Sequence, residues 1–130
     1  TINALIASTD VIITSTMSYL SLEGVSDLLD LIEVINDTLY LPKKVRISGV
    51  LACMYDGRTK IARKVRKELE RYFENLVFDV VIPANVTLNE AQTKGTPVIH
   101  YDADSLGARA YRRLTRALIK RLDEKDNAGA

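Results

Sequence analysis

Hydrophobic residues recur with two different periods, and the two patterns alternate along the chain. Short runs that are apolar at nearly every position are typical of strands buried on both faces of a parallel sheet. Such runs predict three strands, at residues 10–14, 45–54 and 76–82. Segments with apolar residues three and four positions apart predict amphipathic helices. These segments are residues 22–39, 59–74 and 106 to about 122.

The pattern is weaker between the third predicted strand and the last predicted helix. Pro83 ends the strand, because proline cannot donate a hydrogen bond to a strand ladder. Residues 85–96 are polar and irregular, with one helical turn predicted at residues 88–91. Residues 97–101 predict a short edge strand.

Strands that alternate with helices of this length predict right-handed β-α-β crossovers. We therefore expect an α/β fold, a three-layer sandwich in which a mostly parallel sheet lies between helix layers. It forms one domain, residues 1–122, followed by a frayed tail, residues 123–130. In such a sheet the loops that follow the strands open on one edge, where ligands bind. Those loops are residues 15–18, 55–59 and 83–86.

Two of these loops carry residues that suit a purine base. Met54 offers a flat, polarizable contact, Pro83 a rigid one, and Asn85 a paired hydrogen-bond donor and acceptor. The same residues are also explained as a strand end, a strand terminator and a turn residue. The sequence leaves both interpretations open.

The net charge of +1 conceals a division of charge along the chain. Residues 1–42 hold six acids and no Lys or Arg, whereas residues 43–130 hold eighteen bases and eleven acids. A basic helix face binds phosphates without sequence choice, although a run of charge is also typical of a solvated helix surface. The bases on such faces are Arg58, Lys60, Arg63, Lys64, Arg66, Lys67 and Arg71, joined on the last predicted helix by Arg109, Arg112, Arg113, Arg116 and Lys120. Among them, the candidate DNA-binding residues are Arg58, Lys60, Arg63 and Lys67.

Several kinds of catalytic site have no counterpart in the sequence. It contains no GxxxxGK[ST] phosphate loop, no GxGxxG motif and no GxSxG motif. His100 is the only histidine, and Cys53 is an isolated thiol in an apolar run. We assign no catalytic residue and no metal ligand. No apolar run approaches the roughly 18 to 20 residues of a membrane span, so we expect no membrane segment.

Several segments, in this order and spacing, resemble the C-terminal half of the ParA/Soj family of chromosome and plasmid partitioning ATPases. They are TINAL, SLEGVSDLL, GVLACMYDGRT, VFDVVIPANV, NEAQTKGTPVIHYD and SLGARAYRRL. The resemblance covers nearly the whole chain and implies the C-terminal half of a P-loop NTPase fold with a deviant Walker A motif. It places the phosphate loop and the magnesium-positioning aspartates in the N-terminal half of the family.

The resemblance also implies a function. It implies an ATP-dependent homodimer, cytoplasmic and associated with the nucleoid, that binds DNA nonspecifically and is stimulated by a ParB-like activator. ATP and Mg would be held mainly by the N-terminal half, so we expect no ATP hydrolysis by these residues alone. The residues at positions that border the adenine in the family are Met54, Pro83 and Asn85. Arg58 lies at a DNA-binding position, and Lys60, Arg63 and Lys67 would extend that surface.

The sequence departs from the family at two loops. Thr14, Thr16 and Ser18 stand where the family usually has Pro, Gln and Glu, near its dimer and effector contacts. Ala84 and Thr87 stand where relatives carry the two arginines of PRNVR. The loss of two cations is expected to weaken nonspecific DNA binding.

The basic helices and the lack of a phosphate loop leave an alternative function open, namely a nonenzymatic α/β module that binds DNA or another protein without hydrolysing a nucleotide. The resemblance also implies that the predicted strand at residues 10–14 pairs with a strand of the family's N-terminal half. In these residues alone it would present an open apolar edge, which favours self-association.

Overall fold

The computed structural model describes residues 1–129, and two parallel strands lie at its centre. The first, β1, is Asp10–Thr16, and the second, β2, is Arg46–Cys53. Their register shifts once, between Val11 and Ile12. Two parallel neighbours need a long crossover connection, and a helix supplies it here.

The predicted third strand, residues 76–82, lies beside β2 but does not form a regular strand. It pairs with β2 through isolated bridges, which are Val50 with Val77 and Tyr55 with Pro83. The amide of Phe78 donates to the carbonyl of Val50, and that of Ile82 donates to the carbonyl of Ala52, both at 2.9 Å. More residues separate the two donors than the two acceptors, so the chain between them bulges away from the ladder. The prediction of a regular strand is therefore wrong, although the segment lies where a third parallel strand would lie.

The helices, numbered in chain order, include the three long ones that the hydrophobic spacing predicts. They are α1 Ile2–Ile6, α2 Tyr19–Thr38, α3 Lys60–Phe73, α4 Val86–Thr93, α5 Val98–Tyr101 and α6 Leu106–Ala128, with a 3₁₀ turn at Glu74–Leu76. The single predicted turn at residues 88–91 is the middle of α4.

Successive residues of β2 point to opposite helix layers, as the pleat of a strand requires. Val50 belongs to a buried cluster with Val25 of α2 and Leu69 of α3. Its neighbour Leu51 belongs to a second cluster with Ala110 of α6. The parallel pair is thus covered by helices on both faces. This confirms the expected three-layer α/β fold.

Residues 98–101 form α5 and Pro97 is its N-cap, so the edge strand predicted at residues 97–101 is wrong. The amides of His100 and Tyr101 both donate to the carbonyl of Pro97 at 2.9 Å, which closes a helical turn that becomes α5. Proline is favoured at the start of a helix, because its missing N–H would have no partner there. The helix start at Pro97 outweighs the strand propensity of the side chains that follow it.

Helix α6 continues to Ala128, so residues 123–128 of the predicted tail are helical, and Ala130 lies outside the described residues. The guanidinium of Arg121 donates to the carbonyl oxygens of Ser48 at 3.0 Å and Leu76 at 2.9 Å. Lys125 then donates to the hydroxyl of Ser48 at 3.4 Å. These contacts tie the last turns of α6 to β2, which an exposed tail would lack.

Candidate functional site

The loops after β2 and after the third segment meet at the carboxyl edge of the sheet. The amide of Tyr55 donates to the carbonyl of Ile82 at 3.0 Å, and the amide of Ala84 donates to the carbonyl of Tyr55 at 3.2 Å. Met54 and Pro83 are therefore held on neighbouring stretches of backbone. The structure brings these two predicted residues to one edge, as the topology of a parallel sheet requires.

Met54 has a backbone conformation that non-glycine residues rarely adopt. Its φ angle is 51°, in the left-handed region, and its side chain is 66% exposed. Such a conformation costs of order 1–3 kcal/mol and persists only where the surrounding structure fixes it. Here the residue that follows Met54, Tyr55, is held in place by its backbone hydrogen bonds to Ile82 and Ala84. The result is a large, polarizable side chain displayed at the edge of the sheet instead of in the core.

Asn85 is the third residue predicted to border a base, and it carries an unsatisfied acceptor. It precedes α4, but its side chain makes no capping hydrogen bond to the helix. Its Oδ1 atom is buried and has no hydrogen-bond partner among residues 1–129. A buried acceptor without a partner costs about 1–3 kcal/mol. An N–H donor from a ligand would remove that cost.

Arg58 is exposed but already paired. Its side chain is 91% exposed, and its Nε and Nη2 atoms donate to the two carboxylate oxygens of Asp56 at 2.9 and 2.8 Å. The backbone amide of Arg58 donates to the same carboxylate at 3.1 Å. These hydrogen bonds lower the pKa of Asp56 to about 2, and Asp56 in turn raises the pKa of Arg58. The pair as a whole therefore carries almost no net charge, although the Arg58 guanidinium itself stays positively charged and exposed.

The other predicted phosphate-binding bases lie on α3, which begins directly after this loop. Thr59 caps the helix, because its hydroxyl accepts from the amide of Ala62 at 3.3 Å. Lys60, Arg63 and Lys67 are all exposed and follow one another at helical spacing. They form one basic face next to Arg58. The guanidinium of Arg63 also donates to a loop carbonyl, that of Gly57, at 2.6 Å.

Two features of this edge were missed by the sequence analysis. The guanidinium of Arg66 lies 5.6 Å from the ring centre of Tyr55 and pairs with Glu70 at 2.8 Å, so it faces the loop instead of extending the basic face. The pairing of Asp56 with Arg58 was also missed, although their separation by two residues permits it. Opposite charges at short spacing in a turn are the sequence feature that would have indicated the pair.

The loop after β1 is built from hydroxyl groups where the ParA/Soj family usually has Gln and Glu. Ser18 caps α2 by accepting from the amide of Ser21 at 3.3 Å. The hydroxyl of Ser21 is also hydrogen-bonded to Thr16 and to Ser18. The departure from the family pattern thus has a local structural role as a helix cap.

The remaining titratable groups do not form a metal centre within the described chain. Among residues 1–129, no group of three or more His, Cys, Asp or Glu side chains is placed to hold a metal ion. Burial raises the pKa of the Cys53 thiol. Of the helices described, none has both the length and the apolar character needed to cross a membrane.

Comparison with known proteins finds similar sequences among chromosome-partitioning proteins. No family model matches the chain. It is 39% identical over 121 residues to the chromosome-partitioning ATPase Soj of Treponema pallidum, and 39% identical over 121 residues to the chromosome partitioning protein ParA of Myxococcus xanthus. Both alignments cover 93% of this chain, and they cover 47% and 42% of the two relatives. The chain matches the C-terminal half of the ParA/Soj family. It spans about half the length of the curated relatives it matches.

A solved structure gives the same fold. The cobyrinic acid a,c-diamide synthase of Mycobacterium smegmatis, with a bound ATP analog and magnesium, superposes with a TM-score of 0.66 at 26% identity. The similarity covers 93% of this chain and 41% of the synthase. The fold is therefore that of one part of a P-loop ATPase, in agreement with the ParA/Soj match.

Proposed function

We propose that this chain is part of a ParA-like ATPase that acts in chromosome or plasmid partitioning and so positions DNA or other cargo. Its residues supply the adenine-side wall of the nucleotide site and part of a nonspecific DNA-binding surface. Similarity to partitioning ATPases over 93% of the chain supports this role. The ATP analog and magnesium bound to the synthase support a nucleotide ligand for the fold.

The buried, unpartnered Oδ1 of Asn85 is the observation that carries the adenine assignment. The exocyclic amine of adenine is an N–H donor of the kind that this acceptor needs. Met54 and Pro83 lie at the same edge and offer apolar surfaces to the flat faces of a base. Together the three residues recognise and orient a purine.

ATP and ITP distinguish this hydrogen bond, because ITP carries an oxygen in place of the exocyclic amine. The complete protein is expected to prefer ATP by about tenfold, which corresponds to about 1.4 kcal/mol. Asn85→Leu should remove that preference, and Asn89→Leu, on the exposed surface of α4, should keep it. Competition of the two nucleotides against a fluorescent ATP analogue measures the ratio. A full preference for ATP in Asn85→Leu would refute the assignment.

The DNA surface consists of the loop base Arg58 and the α3 bases Lys60, Arg63 and Lys67. Exposed cations on one face contact phosphates, and their binding weakens as salt rises. Ala84 and Thr87 make this surface weaker than one with arginines at both positions. Binding to duplex DNA of unrelated sequences should therefore be similar in strength and steeply dependent on salt.

Magnesium and the phosphates of ATP are held mainly by the N-terminal half of the ATPase fold. We assign no residue of this chain as a magnesium ligand. When bound, magnesium neutralises charge on the transferring phosphoryl group. The chain's own residues orient the base. The 130-residue chain with ATP and magnesium should show no turnover above background, and clear turnover would refute this division of roles.

The assembly proposed for the complete protein is a homodimer that acts with a ParB-like activator, in the cytoplasm at the nucleoid. The alternative function is a nonenzymatic module that uses the same basic face of α3. Salt-dependent retention of DNA without ATP, abolished by Arg58→Ala but not by Lys94→Ala, would favour that alternative. No retention even at low salt would count against DNA contact in either form.

A further inference from the structure

An open groove lies between α4, α5 and α6, on the opposite side of the sheet from α3. Its volume is about 770 Å³, within the range of pockets that hold sizeable ligands. Its walls are largely apolar and include Leu88, Ala91, Val98, Ile99 and Tyr111. No residue of the proposed adenine wall or of the basic α3 face lines it.

Two of the helices beside the groove pack closely against each other. A Cβ atom on Gly107 of α6 would lie 2.6 Å from the side chain of Leu88 of α4, so the two helices meet as closely as a glycine permits. Helix α4 follows the segment that pairs with the side of β2 opposite to β1. The groove therefore lies on the far side of β2 from the open edge of β1.

One rim of the groove is strongly basic. Arg112 and Arg116 line it, and both also line an adjoining cleft of about 570 Å³. That cleft adds Arg109 and Arg113, with Asp104 as its acidic residue. The guanidinium of Arg112 is fixed by donation to the carbonyl of Ala103 at 2.5 Å. The guanidinium of Arg116 has no hydrogen-bond or ion-pair partner within residues 1–129.

An apolar trough beside four arginines is complementary to an amphipathic ligand of negative charge. We propose that the groove docks an acidic amphipathic segment of a partner protein, with its apolar side chains in the trough and its carboxylates on the arginines. Amphipathic helices commonly bind grooves in this way, through apolar anchors one turn apart. A DNA backbone would contact the arginines but would leave the apolar part of the groove unfilled. The proposal does not depend on nucleotide binding at the carboxyl edge of the sheet or on DNA binding at α3.

A defined probe tests the docking. The probe is a fluorescein-labelled helical peptide with two leucines one turn apart followed by a run of glutamates, and its matched control has serines in place of the leucines. Fluorescence anisotropy with the full chain should give saturable binding of the leucine peptide. The serine peptide should bind at least about tenfold more weakly, since it keeps the charge but lacks the apolar anchors.

Two pairs of variants localise the binding. Arg116→Glu and Ile99→Ser, both in the groove, should each weaken the leucine peptide by about tenfold. Lys64→Glu and Ile61→Ser, both on α3, are matched controls, because Ile61 is 38% exposed and Ile99 is 40% exposed. The controls should bind as the unchanged protein does. Circular dichroism and thermal unfolding show whether a variant is folded, and the serine peptide tests the same apolar contact without altering the protein.

Three results would overturn the proposal. The leucine and serine peptides binding equally would show that charge alone is responsible. Equal losses in groove and α3 variants would show that the groove is not the site. Loss of duplex DNA binding in Arg116→Glu and Ile99→Ser, with no peptide binding by the unchanged protein, would assign the groove to nucleic acid.

Discussion

The pairing of Asp56 with Arg58 predicts that removing the acid strengthens DNA binding. Asp56 accepts three hydrogen bonds from Arg58, at 2.8, 2.9 and 3.1 Å, and its pKa is lowered to about 2. At neutral pH the carboxylate is therefore fully charged and cancels the guanidinium. Asp56→Asn keeps a side-chain oxygen to orient Arg58 but releases its positive charge toward a phosphate.

The size of the effect follows from counterion release. One additional phosphate contact steepens the slope of log K against log salt by about 0.9, so affinity falls about three- to fourfold more between 50 and 200 mM salt. Fluorescence anisotropy with a labelled duplex over a potassium chloride series measures the slope. We expect tighter binding at low salt together with this steeper slope.

A matched variant separates this effect from a general gain of positive charge. Glu124→Gln also removes a carboxylate that pairs with a base, Lys120, at 3.9 Å, but on the opposite helix layer. It should leave the slope unchanged. An unchanged or shallower slope in Asp56→Asn would refute the argument that Asp56 masks Arg58 from DNA.

Three further predictions concern stability, pH and assembly. Gly49→Ala should destabilise the fold by about 1–3 kcal/mol in denaturant unfolding, because its Cβ would collide with Phe78 and Arg121, whereas Gly24→Ala, with open space around it, should be neutral or stabilising by about 0.5–1 kcal/mol. A destabilisation equal at both glycines would refute the packing argument. The folded-state pKa of Asp56 is lowered from 3.8 to about 2, so any stability that its pair contributes is fully present above pH 3.8 and is lost as pH falls through about 2. NMR titration of its carboxyl carbon should give a midpoint near 2, and a midpoint near 3.8 would contradict the pair. Within residues 1–129, β1 pairs with β2 alone, so the 130-residue chain should self-associate through the other edge of β1. A stable monomer by light scattering would contradict this.

The central sheet was predictable because burial determines its sequence. Residues 11–13 of β1 and 50–53 of β2 are continuous apolar runs, as expected for strands with helices on both faces, and few other structures fit such a run. The long helices were predictable for a related reason, since their buried faces recur at helical spacing. Burial against neighbours therefore left a clear pattern in the sequence.

The segments that were predicted wrongly are those in which a local or distant contact decides the structure. Residues 97–101 have β-favouring side chains, but Pro97 starts a helical turn. The third segment has strand composition, but a bulge interrupts its pairing with β2. The end of α6 looks polar and unanchored until Arg121 and Lys125 reach the backbone and hydroxyl of Ser48, more than seventy positions earlier.

The candidate site was predictable in position but not in detail. That Met54 and Pro83 would share an edge follows from parallel topology. The positive φ of Met54, the unpartnered acceptor of Asn85 and the neutralised charge of Arg58 depend on the folded arrangement of the loops. The spacing of Asp56 and Arg58 permits their pairing, but residue identity alone specifies neither the φ angle of Met54 nor the unpartnered acceptor of Asn85.

Photolabelling tests the central claim most directly, namely that this chain supplies the wall around the base. The complete protein is irradiated with 8-azido-ATP and magnesium, and labelled peptides are identified by mass spectrometry, with excess ATP as the competitor. The account predicts competed labelling at Met54 and Tyr55 or within residues 83–86. Competed labelling confined to other parts of the protein, with none at this edge of the sheet, would contradict it.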